Sequence, residues 1–149
     1  MDHSKSRQKS LTFRTSAVWT EGTSGVLSSE GKPPIQVSNP PEFKGKEGLW
    51  TPEHMFVASV EVCHMATFLA FARKRNLPVL SYESHSNGVL EFIDGDYRFT
   101  RIVIFPTINV AGSSKESEVH LILREAQEHC LVANSIASIV EVNPTIVIR

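Results

Sequence analysis

The sequence predicts an α+β fold that contains antiparallel β-sheet. Three features support this class: a long apolar helix, a β-hairpin and an amphipathic helix, which follow one another along the chain. The chain has 149 residues, which is a usual length for one domain. We place this domain at residues 11–149, after a flexible polar tail over residues 1–10.

The first predicted element is a strand over residues 11–19, where apolar and polar residues alternate. This alternation predicts that Leu11, Phe13 and Trp19 face inward. A glycine-containing turn follows, and residues 26–29 can return as the second strand of a hairpin.

A proline-rich connection over residues 31–50 leads to the long helix. Such long connections within a domain are typical of functional loops. Thr51-Pro52 is a favourable helix start, and no Gly or Pro interrupts the chain until Pro78. A helix over residues 52–76 would be about 37 Å long. It is apolar on nearly every side, and one domain of this size can scarcely surround it, so we expect a homodimer.

Two strands over residues 82–93 and 97–110 are predicted to meet at Asp94-Gly95, a strong hairpin signal.

The remaining elements are a helix and a final strand. The sequence Ser113-x-x-Glu116 has the form of a capping box. It opens an amphipathic helix whose inward stripe is Val119, Ile122, Leu123, Ala126 and Cys130. Residues 139–149 are strand-like, with an edge or a bend at Pro144.

Composition excludes several classes of function. Fifteen basic and sixteen acidic residues give a net charge of −1, which argues against binding to nucleic acid or anionic membranes. The first ten residues lack the apolar core of a secretion signal, and Glu61 lies within the apolar helix, against a membrane span. Two cysteines are too few for a disulfide scaffold. We therefore expect a cytoplasmic protein.

Cys63 and Cys130 are the first candidates for chemistry. Each cysteine alone is typical of a small buried apolar residue. They lie on the core-facing stripes of two different helices, so they are able to meet and to alternate between dithiol and disulfide.

His64 and His129, each adjacent to a cysteine, allow zinc as an alternative. Neighbouring residues on a helix point about 100° apart, which argues against shared coordination of one ion. The histidines would then be polar neighbours of the thiols, or partners of Glu61 and Glu125 at helical spacing.

Glu53 precedes Cys63 by ten residues, which is about 15 Å along one helix and too far for contact. Its simplest role is to stabilise the helix N-terminus. If two copies of the helix pack antiparallel in a dimer, Glu53 of one copy approaches Cys63 of the other.

The runs TPEHMFVASVEVCHMATFLAFARKRNLPVLSYES, YRFTRIVIFPTI and AQEHCLVANSI together resemble the OsmC/Ohr family of thiol-dependent peroxidases. The resemblance implies an intertwined homodimer in which antiparallel sheets enclose two long central helices, with active sites at the interface. It also implies reduction of organic hydroperoxides, and less well of hydrogen peroxide, without a cofactor. By position, Cys63 would be the peroxidatic thiol, Cys130 the resolving thiol, and Glu53 the carboxylate that orders the site with an arginine. An external dithiol, of the lipoyl type, would regenerate the enzyme.

The sequence departs from the family pattern at two points. The N-terminal hairpin and the loop before Pro-Glu contain no arginine, so Lys44, Lys46 or Arg14 would have to provide the cation. A lysine cannot form the bidentate pair that arginine forms with a carboxylate. Leu131 follows Cys130 where the enzymes usually have proline.

An apolar pocket near the thiolate would favour organic over hydrogen peroxide, because each buried CH₂ gains about 0.8 kcal/mol. The candidate lining residues are Phe43, Trp50, Met55 and Phe56. The alternative function is a dimeric binding or stress protein with such a pocket, which takes a lipophilic small molecule with little or no turnover. A redox-regulated switch would use the same cysteines.

Overall fold

The computed structural model describes residues 9–149 and has two compact units, one that ends at Pro52 and one that runs from Glu53 to Arg149. The predicted polar tail therefore lies largely outside the described residues. Two α-helices and two β-sheets are present, which confirms the α+β class.

The first unit is built on a three-stranded antiparallel sheet. Its strands, in sheet order, are β1 (Ser16–Glu21), β2 (Ser24–Ser28) and β3 (Ile35–Ser38). The prediction of inward side chains was wrong: Leu11 and Phe13 precede β1 and are 79% and 88% exposed, and Trp19 is 75% exposed. Every residue of β1 is exposed, so its alternation does not correspond to a face covered by this chain.

The proline-rich connection contains structure that the sequence pattern does not reveal. Strand β3 lies within it, and a short 3₁₀ helix follows at Pro41–Phe43. The Ser38 N–H donates to the Trp50 carbonyl at 3.0 Å, and Val37 forms an isolated parallel bridge with Trp50. Four residues of alternation are too few to distinguish a strand from a loop.

The second unit begins with the long helix α1 (Pro52–Lys74), close to its predicted bounds and about 34 Å long. Asn76 ends it in the left-handed region, with φ of 56°. The Asn76 N–H donates to the Arg73 carbonyl, and the Leu77 N–H donates to the Ala72 carbonyl. These two bonds form a Schellman motif, which satisfies the last carbonyls of the helix.

Only one face of α1 is buried, at Val60, His64, Phe68 and Ala72. By length and composition, α1 could cross a membrane. Glu61, near its middle, accepts a hydrogen bond from Ser84 Oγ at 2.5 Å.

The predicted hairpin is confirmed as β4 (Val79–Ile93) and β5 (Asp96–Val110), paired antiparallel. Asp94 and Gly95 both have positive φ, 51° and 88°, as a tight two-residue hairpin turn requires.

The predicted helix α2 (Glu116–His129) is also present, and its stripe from Val119 to Ala126 is buried. The predicted capping box does not form. The N-cap is Lys115, which has extended backbone and no side-chain capping bond, so Ser113 lies two residues before the cap.

The second unit contains the predicted antiparallel pairing, but its sheet is mixed because parallel pairs also occur. Strands β6 (Ile139–Val142) and β7 (Thr145–Ile148) both pair parallel with β5. Helix α2 separates β5 from β6, and such a crossover returns the chain in the parallel direction. Asn143-Pro144 divides the two short strands, which confirms the predicted bend.

Candidate active site

Cys63 lies at the middle of α1, on the border between its buried and exposed faces. Its neighbours Val60 and His64 are buried, whereas Val62 and Ala66 are exposed. The Cys63 residue itself is half-buried. The thiol is therefore held by a rigid helix and remains partly accessible in this chain.

Cys130 is the residue at which α2 ends. Its backbone is extended, with φ −70° and ψ 99°, so the chain leaves the helix here. Cys130 is 1% exposed because it continues the buried stripe of α2 that includes Leu123 and Ala126. The sequence pattern predicted this inward position.

Apolar packing and hydrogen bonds fix the loop that follows Cys130. Val132, Ala133 and Ile136 pack on a cluster that contains Val60 of α1. The Asn134 N–H donates to the Cys130 carbonyl at 3.0 Å. This packing holds the loop against the part of α1 that carries Cys63.

The two thiols are in hydrogen-bonding contact, although the cysteines are far apart in the sequence. Burial raises the pKa of Cys63, but hydrogen bonds outweigh it and leave the pKa below the ordinary thiol value. The donors are the Val132 N–H, the Cys130 thiol, the Thr67 hydroxyl and the Leu131 N–H. Cys63 is therefore the better thiolate of the pair.

Cys130 shifts in the opposite direction. Burial raises the pKa of Cys130, a hydrogen bond from the Ala133 N–H opposes this rise, and the neighbouring Cys63 sulfur raises the pKa further. When the pair loses its first proton, the opposite shifts favour a Cys63 thiolate that accepts a hydrogen bond from the Cys130 thiol.

Thr67 is a site residue that the sequence analysis missed. It lies one turn after Cys63 on α1, and its hydroxyl donates to the Cys63 carbonyl at 2.7 Å. The same hydroxyl is within reach of the Cys63 sulfur, but it has one proton and serves one acceptor at a time. The i, i+4 spacing from Cys63 was a signal for this contact.

Glu53 lies in the first turn of α1 and does not meet Cys63 of the same chain, in keeping with the ten-residue separation. Its Oε2 atom is shielded from solvent and accepts no hydrogen bond from any residue in the described part of the chain. Its role near a thiol stays a prediction.

The predicted partnerships of the two histidines were wrong. His64 is 1% exposed, and neither ring nitrogen has a hydrogen-bond partner among residues 9–149. Glu61 pairs with Ser84 instead, because His64 turns toward the core on the buried face of α1.

His129 stacks against Phe71, with ring centroids 5.5 Å apart. Its predicted partner Glu125 forms an ion pair with Arg75. Within the residues that the structure describes, no group of three or more His, Cys, Asp or Glu side chains could hold a metal ion.

Five other candidates belong to the first unit: Arg14, Phe43, Lys44, Lys46 and Trp50. The Arg14 carbonyl accepts a hydrogen bond from Ser29 Oγ at 2.9 Å. Lys44 ends the 3₁₀ helix with φ of 62°, and the Lys46 N–H donates to Ser38 Oγ at 3.0 Å. These are local backbone contacts, so the predicted roles of the side chains stay predictions.

Of the predicted pocket residues on α1, Phe56 stacks on Phe99 with centroids 4.7 Å apart, and Met55 is half-buried. Phe56 also packs on the cluster of Val60 and Ile104 that supports the loop after Cys130. Phe56 therefore shares an apolar cluster with the loop that follows Cys130.

Comparisons with known proteins place this fold. A model of the family described as OsmC-like protein matches residues 45–145. An OsmC-like protein of unknown function from Vibrio cholerae is 24% identical, with 91% of this chain and 99% of that chain covered and a TM-score of 0.84. An OsmC-like protein from Mycoplasma pneumoniae is 18% identical, with 93% and 99% covered and a TM-score of 0.80.

An organic hydroperoxide resistance protein OsmC from Legionella pneumophila is 18% identical, with 94% and 99% covered and a TM-score of 0.74. No curated protein sequence matches this chain. At these identities the solved structures establish the fold, and the family model covers most of the second unit, including both cysteines. The chain belongs to the OsmC-like protein family.

Proposed function

We propose that this protein is a thiol-dependent peroxidase that reduces organic hydroperoxides and, less well, hydrogen peroxide. The observation that carries the proposal is the contact between the Cys63 and Cys130 thiols, whose pKa values shift in opposite directions. A peroxidase of this kind needs one accessible thiolate to attack and one protonated thiol nearby to resolve. The opposite directions of the two pKa shifts support the first role for Cys63 and the second for Cys130.

In the first step, the Cys63 thiolate attacks the terminal oxygen of the hydroperoxide ROOH, which is the oxygen distal to the alkyl group. An S–O bond forms, the O–O bond breaks, and the leaving alkoxide takes a proton to become the alcohol ROH. The sulfur is oxidised to a sulfenic acid, and the peroxide is reduced by two electrons.

In the second step, the Cys130 sulfur attacks the sulfenic sulfur of Cys63. The S–S bond forms, and hydroxide leaves and becomes water with the proton that Cys130 gives up. An external dithiol, which we expect to be of the lipoyl type, then reduces the disulfide by thiol–disulfide exchange. Persistence of free thiols requires a reducing compartment, so the proposal includes a cytoplasmic location.

The proposal also includes a homodimer. The exposed face of α1 carries Ser59, Val62, Ala66 and Leu69, spaced three and four residues apart as in a helix–helix seam. Val62 is 56% and Leu69 is 37% exposed in the single chain. A second copy of α1, packed antiparallel, would cover this face.

The dimer gives Glu53 its proposed role. The unpaired, shielded Oε2 of Glu53 needs a donor, since a buried carboxylate oxygen without one is costly. In the antiparallel arrangement, Glu53 of one chain would lie near Cys63 of the other and order a cation there. We propose Lys44, Lys46 or Arg14 as that cation, with Phe43, Trp50, Met55 and Phe56 lining an apolar pocket for the alkyl group.

The test begins with reduced protein and one equivalent of cumene hydroperoxide. We expect a loss of two hydrogens within seconds by intact mass, and a non-reducing peptide map that joins the Cys63 and Cys130 peptides. Thiols that remain unchanged after many minutes would contradict the proposal and favour the non-catalytic binding protein.

Matched variants separate the two steps. Cys63→Ser should abolish peroxide consumption, whereas Cys130→Ser should allow one oxidation, with a sulfenic acid that dimedone traps and that excess peroxide over-oxidises. Peroxide consumption that survives Cys63→Ser would exclude this cysteine as the attacking thiol.

A further inference from the structure

Two consecutive peptide groups after Cys130 have carbonyls that are held by hydrogen bonds. The Cys130 carbonyl accepts from the Asn134 N–H at 3.0 Å. The Leu131 carbonyl accepts from Ser135 Oγ at 2.7 Å. Both acceptors are held by the short 3₁₀ turn that follows them in the chain.

In a planar trans peptide, the N–H points opposite to the C=O. The N–H of Leu131 shares its peptide with the Cys130 carbonyl, and the N–H of Val132 shares its peptide with the Leu131 carbonyl. Because Asn134 and Ser135 hold the two carbonyls, the two N–H groups are fixed in the opposite direction. The Leu131 N–H donates to the Cys63 sulfur, and the Val132 N–H is within reach of both the Cys63 and the Cys130 sulfur.

These donors have no competing use in the backbone. Cys130 leaves the helical conformation, so the hydrogen-bond ladder of α2 does not continue through Leu131. Over residues 9–149, no backbone carbonyl accepts from the N–H of Leu131 or Val132.

We propose that the backbone N–H groups of Leu131 and Val132 hold the Cys63 sulfur as a thiolate in a fixed orientation. We call these two N–H groups, together with Asn134 and Ser135 behind them, the peptide clamp. Leu131 is 69% exposed, so it contributes through its N–H and not through its side chain. A proline at position 131 would lack this N–H. The clamp thereby supplies backbone donors at a site whose sequence has no motif arginine. This inference deepens the proposed function and rests on it for its biological meaning.

The test measures alkylation of Cys63 by iodoacetamide against pH, with the modified cysteine identified by peptide mapping. Leu131→Pro removes one donor, and the extended backbone of Cys130 is compatible with a following proline. We expect the pH midpoint to rise and the rate at neutral pH to fall by roughly threefold or more. Leu131→Ala keeps the N–H and should alkylate like the wild-type protein.

Ser135→Ala releases the Leu131 carbonyl and should also raise the midpoint, by less, because Ser135 is exposed. Ser135→Thr keeps the hydroxyl and should restore the wild-type profile. A folded Leu131→Pro protein with the wild-type midpoint would overturn the proposal.

If circular dichroism shows that Leu131→Pro does not fold, the amide proton resonance of Leu131 in the wild-type protein decides. The chemical shift of this proton should change with pH, with the same midpoint as the alkylation of Cys63. A chemical shift that does not change with pH in this range would overturn the proposed clamp. Neither readout requires peroxide turnover. A protein that consumes no peroxide but has the expected profiles would therefore retain the clamp and lose the proposed function.

Discussion

The two faces of α1 have similar composition and opposite surroundings. One face carries Val60 and Phe68, which are fully buried against the sheet and α2 of the same chain. The other carries Val62 and Leu69, which this chain leaves exposed. Because the free energy of burying an apolar side chain does not depend on which chain covers it, we expect a second copy of this chain to cover the exposed face.

Cys63 lies where these faces meet, and this position has a chemical consequence. Its buried side contacts the loop after Cys130, whereas its exposed side borders Val62 and Ala66. The chain alone thus supplies the proposed resolving thiol and the proposed backbone donors, and we expect a second copy of α1 to complete the wall of the site.

The largest expected effect comes from a charge placed on the exposed face. Ala66→Glu would bury two carboxylates in the proposed seam, at several kcal/mol each, so we expect the dimer to dissociate at micromolar concentration. Sedimentation velocity would measure the change, and Ala66→Ser, which is small and uncharged, should leave the assembly intact. A wild-type protein that sediments as a monomer would refute the assignment of this face.

A truncation on the buried face should act within the chain. Phe68→Ala removes a ring that is fully buried and lies 5.8 Å from the Tyr82 ring, so we expect a loss of about 3–5 kcal/mol in the free energy of unfolding. Urea unfolding at several protein concentrations would measure it. Leu69→Ala, one residue later on the exposed face, should instead change how the midpoint depends on concentration. If both variants lost the same free energy of unfolding at every protein concentration, the distinction between the two faces of α1 would be wrong.

The smallest effect concerns His64, a polar residue on the buried face. Burial lowers the pKa of His64, so the unfolded chain binds the proton more readily. The stability contributed by neutral His64 is complete above the unfolded value of about 6.5 and falls as pH decreases toward the lower folded value. His64→Leu should weaken this acid dependence and add about 1 kcal/mol at neutral pH, because two unpaired nitrogens leave the core.

Urea midpoints between pH 5 and 8 would test this, with His120→Gln as the control. His120 is half-exposed and interacts with Glu116 at 3.5 Å. Its substitution should therefore leave the slope of the urea midpoint against pH near that of the wild-type protein. An unchanged slope in His64→Leu would contradict the prediction.

The sequence pattern predicts the elements whose signals are local and strong. Asp94-Gly95 specifies the hairpin turn, and the stripe of α2 specifies which side is buried. Strand β3 has too short a pattern, and β1 alternates without a covering layer in this chain. The parallel pairing of β6 and β7 follows from a crossover, which residue alternation does not encode.

For the site, the pattern allows Cys63 and Cys130 to meet, and it correctly places Cys130 on the buried stripe of α2, whereas Cys63 lies at the border of the buried face of α1. It does not predict the donors at Leu131 and Val132, because every residue except proline has an N–H. Their direction depends on how the loop folds after Cys130, and that depends on the packing of Val132 and Ile136. Reactive side chains can thus be partly predicted from a sequence, whereas hydrogen-bond donors of the backbone can be identified only once the fold is known.

The distance in sequence between the two contacting thiols has a consequence for chain entropy. A disulfide between them would close a loop of about 67 residues, which in the chain-entropy view restricts the unfolded ensemble by roughly 4 kcal/mol. Each oxidation would therefore make the protein temporarily harder to unfold, and each reduction would return it to a more easily denatured state. Heat resistance would then vary with the redox cycle, so that the reduced form, which is ready to react, is also the form most exposed to proteolysis.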